Sequence, residues 1–318
     1  MHNDFEVSLL IPLYNEQETF PTLISRLKSV LDSFKVKTEV VLINDGSKDA
    51  TPQLMEELAL ADKRFQCVFL SRNHGHQYAL SAGMFHCRAT KAVMVLDGDL
   101  QDPPELVNEF YNLIQQGNDV VYAIRKKRKE GVIKRLLYWT YYRIMRNISS
   151  INIPLDSGDF CMMSRRVLDH INAMPERNRY IRGMRSWVGF KQVGYEYERS
   201  EREAGESKYS FKMLWRLAYS GIFNFSEFPI KFITRLGLIT VIFAIIYLGD
   251  TVYKKIFEPE VMIPGFTMTV FLITLFCGVQ LLSLGVIGEY VLRIYDQVKQ
   301  RPIFVTDKII KDKQSSNC

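Results

Sequence analysis

Two runs toward the C-terminal end constrain this chain more than any other feature. Ile233–Tyr253 carries only Arg235 near its start and Asp250 near its end, and Thr267–Gly288 carries no charge. Each is long enough to cross a hydrocarbon core of about 30 Å, which takes roughly 20 residues. Buried helices of a soluble core are the alternative, but two such runs back to back favour a membrane hairpin. Lys231 precedes the first run, with Arg235 in its first turn, and Arg293, Lys299 and Arg301 follow the second. The short connector mixes Lys254 and Lys255 with Glu258 and Glu260. Excess positive charge on the outer flanks predicts that the N-terminal region and the tail face the cytoplasm. Val7–Leu13 is too short for a secretory signal and follows acidic residues. The five cysteines have no CxxC spacing, so neither a zinc site nor a disulfide framework is expected.

The first 125 residues alternate between two periodicities. Val7–Leu13, Glu39–Ile43, Gln66–Leu70, Lys91–Leu96 and Asp119–Ile124 read as short buried strands. Helical patterns fill the gaps, about 18–34, 52–61, 76–88 and 104–115, with Thr51 and Pro52 as a helix start. This alternation predicts a mostly parallel sheet covered on both faces. Ligands of such sheets gather beyond the carboxyl ends of the strands. Those ends carry Tyr14-Asn15-Glu16, Asn44-Asp45-Gly46-Ser47, Ser71-Arg72-Asn73-His74 and Asp97-Gly98-Asp99. Neither GxGxxG nor GxxxxGK[ST] occurs, so no dinucleotide or P-loop site is indicated.

The fourth strand ends in Asp97, Asp99 and Asp102. Crowded carboxylates raise one another's pKa unless a cation joins them. Mg²⁺ commonly takes one or two carboxylates plus substrate phosphates. A solvated turn before a helix is the plainer reading of a lone DxD. Gly98 leaves room for a ligand, and Asp102 is expected to start the helix opened by Pro103-Pro104. Farther on, residues 125–146 hold nine Lys or Arg against Glu130 alone, a local excess larger than the chain's +6. Apolar and aromatic residues from Val132 to Met145 interleave with that charge, which suits an anionic lipid surface better than nucleic acid.

Together, Pro12-x-Tyr14-Asn15-Glu16, Asn44-Asp45-Gly46-Ser47 and the stretch Asp97–Glu105 resemble the GT-A glycosyltransferases of family 2. Asp156–Phe160 (DSGDF), the R-x-x-R-x-x-G-x-S-K-Y pattern of Arg199–Tyr209 and the two C-terminal runs narrow the resemblance to polyprenyl-phosphate glycosyltransferases. The resemblance implies an α/β, GT-A fold over 1–230; the amphipathic, aromatic composition of 132–149 and 209–229 predicts helices lying in the membrane interface. Two transmembrane helices (about 233–253 and 267–288, within 231–293) and a cytoplasmic tail, 294–318, would complete the chain. It also implies a nucleotide-sugar site at Pro12, Tyr14, Glu16, Asn44 and Asp45, although Asn44 stands where the family often has Asp. Asp97 would hold the donor diphosphate or sugar, and Asp99 with Gln101 would bind Mg²⁺ or Mn²⁺. Arg125, Arg128, Arg199, Arg202, Ser207 and Lys208 would hold the lipid phosphate. Asp156 and Asp159 would sit near the reacting centre, one of them as a base; turns with local Asx hydrogen bonds are the simpler account of both. His74 and His76 receive no role.

The implied reaction is inverting sugar transfer from a nucleoside diphosphate sugar, a UDP-sugar before GDP-mannose, to polyisoprenyl phosphate. The implied setting is a homo-oligomer in the bacterial inner membrane. A processive polysaccharide synthase is the nearest rival, but Arg185-Ser186-Trp187 only approaches the Q-x-x-R-W motif of those enzymes. A non-catalytic nucleotide-sugar-binding scaffold is the other, and intact Asp97, Asp99 and Gln101 speak against it.

Overall fold

A strand buried on both faces needs apolar side chains at successive positions, and the first three strands have them. In the computed structural model, which describes residues 5–125, 157–198, 228–257 and 265–317, β1 (Val7–Leu13), β2 (Thr38–Asn44) and β3 (Phe65–Leu70) form a parallel core. β4 (Ala92–Val95) joins β1 on its other side, also parallel. Strand alternation divides the core between two layers. Leu9, Ile11, Val40 and Leu42 face α1 (Phe20–Ser33), α2 (Thr51–Ala61) and α4 (Val107–Gln115). Leu10, Val41 and Ile43 face α3 (His76–His86), α5 (Arg165–Ala173) and α6 (Ile181–Val188). α1 shows why such a helix forms: Leu23, Leu27 and Val30 recur every three or four residues and are all buried. Burying each such side chain contributes about 1.5–3 kcal/mol.

Beyond β4 the sheet becomes mixed. β6 (Ser157–Ser164) runs antiparallel between β4 and β5 (Val120–Arg125), and β7 (Gln192–Tyr197) pairs parallel with β5. Ser157–Phe160 of the polar segment are therefore strand, which sets Asp159 beside the carboxyl end of β4.

The far edge differs from a free tail. β8 (Thr306–Lys311) pairs antiparallel with β3, and β9 (Gln314–Asn317) pairs with β8, completing the order β7-β5-β6-β4-β1-β2-β3-β8-β9. Asp312 and Lys313, at φ +52° and +63°, form the two-residue turn that suits such a hairpin. Arg88 grips Asp312 through both carboxylate oxygens (2.8 and 2.9 Å) and reaches the buried Glu39 on β2 at 2.7 Å. Glu39 also accepts from Ser8 Oγ and the Arg88 backbone N–H, both at 2.6 Å. Residues 301–318 thus belong to the sheet unit.

α7 (Phe228–Phe257) and α8 (Phe266–Val298) fall in a second compact unit. Phe228–Lys254 and Met268–Val298 are long and apolar enough to cross a membrane. α7 begins earlier than the charge-poor run and α8 continues ten residues past Gly288, where Arg293 pairs with Glu289 one turn back (2.9 Å).

Candidate active site

The loops after β1 and β2 are stitched by side chains acting on backbone. Asn15, in the left-handed region at φ +53°, accepts from Lys48 N–H (2.8 Å) and donates its own N–H to Ser47 Oγ (3.0 Å). Glu16 N–H donates to Thr51 Oγ1 (3.0 Å), and the Glu16 carboxylate accepts from Thr19 Oγ1 (3.0 Å). Thr51 lies one position inside the helix it was expected to cap, with its N–H taken by Asp49. Asn44 is buried and turns its side-chain oxygen to Ser47 N–H (3.0 Å). Pro12 is half-buried and Tyr14 exposed at the end of β1.

Asp45 is nearly buried and spends both carboxylate oxygens on the loop after β3, accepting from His74 N–H (2.7 Å) and Gly75 N–H (2.9 Å). Burial raises its pKa despite those bonds. Gly46 lets that loop close in: at φ +66°, a Cβ there would collide with the Arg72 backbone and stand 2.5 Å from Asn73 N. Gly46→Ala is expected to cost about 2 kcal/mol or more. A thermal melt of the purified chain reads it, and an unchanged melting temperature would contradict this close approach. A cavity of about 750 Å³, within the range of small-molecule sites, adjoins this corner. Asn44, Ser47, Arg72 and, from β8, Lys308 line it.

At the end of β4 the carboxylates separate. Asp97 and Asp99 are partly exposed, and Asp99 accepts from Gln101 N–H (3.2 Å). Leu100, at φ +60°, reverses the chain with its side chain buried. Gly98 is needed for packing, because Leu13 fills the space a Cβ would take (2.6 Å). Asp102 does not cap the helix. It is buried and accepts from Tyr197 OH at 2.5 Å, while Pro104–Leu106 form a single 3-10 turn before α4.

Asp159 meets Asp97 across His76. His76 Nε2 lies 3.5 Å from Asp159 Oδ2 and 3.7 Å from Asp97 Oδ1. Gln77 Nε2 also donates to Asp159 (3.1 Å), Arg182 reaches it at 3.4 Å, and Gln77 Oε1 holds Ile181 N–H at the start of α6 (2.8 Å). Burial disfavours a charged imidazole, but the hydrogen bond that His76 donates to Asp159 and the charges of both carboxylates carry the His76 pKa up to about 9. Burial likewise opposes an ionised Asp159. Arg182, His76 and Arg185 outweigh it and hold that carboxyl well below the usual range. Asp97 moves the other way, to about 6, chiefly through burial.

Arg185 is almost fully buried beneath this cluster, its guanidinium 5.6 Å from the Tyr122 ring centre. His76, Gln77, Arg182 and Arg185 were not anticipated as one group; the R-x-x-R spacing of Arg182 and Arg185 on a short helix was the available signal. Asp156, Arg128, Arg199, Arg202, Ser207 and Lys208 lie outside the described residues. So do the Arg125 side chain, the expected helix at 132–149 and nearly all of the expected helix at 209–229. No three His, Cys, Asp or Glu side chains converge as a self-sufficient metal site among the described residues. Asp99 and Gln101, two residues apart after β4, carry side-chain oxygens of the kind a hard divalent cation takes.

The described residues thus combine a mixed, mostly parallel sheet, acidic and amide side chains at the carboxyl ends of its strands, and two helices long and apolar enough to cross a membrane. Residues 8–171 match the family described as Glycosyl transferase family 2. "Uncharacterized glycosyltransferase YkcC" of Bacillus subtilis is 40% identical over 309 residues, covering 97% of this chain and 95% of that protein. "Prophage bactoprenol glucosyl transferase homolog" of Escherichia coli is 36% identical over 307 residues, covering 96% of this chain and 100% of that one. A solved structure, "Mannosyltransferase PcManGT from Pyrobaculum calidifontis in complex with GDP-Man and Mn2+", overlaps at TM-score 0.46 and 14% identity, over 88% of this chain and 87% of that one. The chain belongs to the family 2 glycosyltransferases and is a glycosyltransferase enzyme of GT-A fold.

Proposed function

We propose that this enzyme moves one sugar from a nucleoside diphosphate sugar to the phosphate of a polyprenyl phosphate held in the bilayer. One observation carries the reading: the likeness to the bactoprenol glucosyl transferase homologue runs through the sheet unit and both apolar helices alike. A polyprenyl chain leaves the bilayer at a cost of about 0.8 kcal/mol per methylene, so the enzyme must meet the headgroup at the membrane. Two membrane-spanning helices, with the sheet unit and tail in the cytoplasm of a bacterial inner membrane, meet that need. Undecaprenyl phosphate is the acceptor this setting favours, and a UDP-sugar the donor; a homo-oligomer is the expected assembly.

In this reading Pro12, Tyr14, Glu16, Asn44 and Asp45 form the nucleotide side of the cleft, with Asp45 acting through the loop it ties down. Asp97 faces the donor sugar or diphosphate. Asp99 and Gln101 would hold Mg²⁺ or Mn²⁺, which would supply positive charge to offset that building on the departing diphosphate. An acceptor phosphate oxygen attacks the anomeric carbon opposite the leaving group. The new carbon–oxygen bond forms as the bond to the diphosphate breaks, and the anomeric centre inverts. A phosphate monoester, with a second pKa of about 6, is already largely ionised at pH 7 and requires no strong base. Asp156 therefore orients the acceptor, and Asp159, held ionised by its cationic neighbours, suits countering positive charge at the anomeric carbon. Arg125, Arg128, Arg199, Arg202, Ser207 and Lys208 hold the acceptor phosphate near this acidic centre.

The test is transfer of radiolabel from a panel of UDP- and GDP-sugars, with Mg²⁺ or Mn²⁺, into lipid. The expected product is organic-extractable and alkali-stable, and forms only when polyprenyl phosphate is supplied. Absence of such a product across the whole panel would sink the reading.

A further inference from the structure

We propose that His76 is a positioning residue for sugar transfer, holding Asp97 of the β4 end and Asp159 of β6 together as one carboxylate face toward the donor sugar. The inference rests on the reading of the site given above. Two carboxylates brought to one cleft from different strands repel each other, and an oppositely charged group between them removes that repulsion and sets their spacing. His76 Nε2 occupies that place, 3.7 Å from Asp97 and 3.5 Å from Asp159.

The backbone makes this a built arrangement. His76 opens α3, and its neighbour Gln77 both donates to Asp159 and receives Ile181 N–H, so one helix start registers β6 against α6. Gly75, immediately before it, is tied to Asp45, which links the same helix start to the end of β2. A shift of α3 would disturb the imidazole, both carboxylates and the Asp45 loop together. Displacing reacting groups by about 1 Å costs on the order of 10²-fold in rate.

The charged groups facing His76 are Asp97 from β4, Asp159 from β6, Arg182 from α6 and Asp45 beyond β2. The acids prevail and the imidazole stays charged until about pH 9. The contribution of His76 is therefore present at neutral pH and lost as pH rises through that value. Lysine keeps a positive charge to higher pH, near 10.4 in its free state.

The full-length chain, purified in detergent, is compared with His76→Asn and His76→Lys. Donor kcat and KM, the alkaline limb of the rate and the melting temperature are measured for each. His76→Asn is expected to lower kcat by about 10²-fold with donor KM within about threefold. His76→Lys should recover to within about fivefold of the unaltered enzyme and carry its activity to higher pH. An Asn variant that keeps its kcat would overturn the inference. So would a Lys variant as slow as Asn while both melt normally, or an alkaline limb that Lys leaves unmoved. If Asn does not fold, the Lys pH profile alone decides. Transfer by the unaltered chain, run alongside, judges the proposed function separately from the role of His76.

Discussion

Asp99→Ala is expected to reduce sugar transfer by at least about 10³-fold while the protein still folds, a loss of about 4 kcal/mol of transition-state stabilisation. The magnitude follows from what the carboxylate is there to do. In the proposed mechanism charge accumulates on the departing diphosphate, and the cation that would offset it takes few ligands from this chain. Removing one of two proposed protein oxygens, Asp99 or Gln101, leaves the cation to the phosphates alone. The fold should tolerate the change. Asp99 is partly exposed and accepts from the backbone N–H of Gln101, two residues away. The buried support of this turn comes from Leu100 and from Asp102 against Tyr197, both untouched. The measurement is initial rate against Mn²⁺ concentration with a melting curve beside it. Normal turnover by the variant would remove Asp99 from the metal role.

A chain ending at Gln300 is the second large effect, and it acts on stability. It loses β8 and β9 and with them the buried Ile309 and Ile310. Those two side chains alone represent roughly 3–6 kcal/mol of burial at about 1.5–3 kcal/mol each. The cut also removes Lys308 from Glu56 (2.6 Å) and Asp312 from Arg88. β3, whose six residues are all buried, becomes an open sheet edge of unpaired backbone groups. The truncated chain should elute as aggregate on size exclusion, although both apolar helices are intact. A monodisperse truncated protein with an unshifted melting temperature would show that the tail hairpin contributes little.

The parallel core was readable because strands buried on both faces announce themselves. Val7–Leu13 was expected and found at those bounds, and the next four strands differ by one or two residues. The tail hairpin was not readable for the opposite reason. Thr306–Lys311 places three charged residues around Ile309 and Ile310, and its partner lies at the far end of the chain. Its turn, Asp312-Lys313, lacks the glycine that usually marks a two-residue hairpin.

The site divided in a similar way. The place of Asp97 and Asp99 at the end of β4 was legible because three acids at the end of an apolar run need an explanation. His76 was not, because a lone histidine at a helix start has no signature until β6 brings Asp159 to it. Asp102 was misjudged because its neighbours in sequence are prolines, whereas the group that determines its place is Tyr197.

The position of the last hairpin also governs how the protein is made. Arg88 and Asp312 are 224 residues apart, and every residue between them must leave the ribosome before that pair can form. Until then β3 has no outer neighbour, and contacts of such long sequence separation form slowly. The nascent sheet domain must wait with an exposed edge while both apolar helices are synthesised and find their place. A chain whose translation stops before β8 therefore keeps β3 as an open edge, free to pair with other chains.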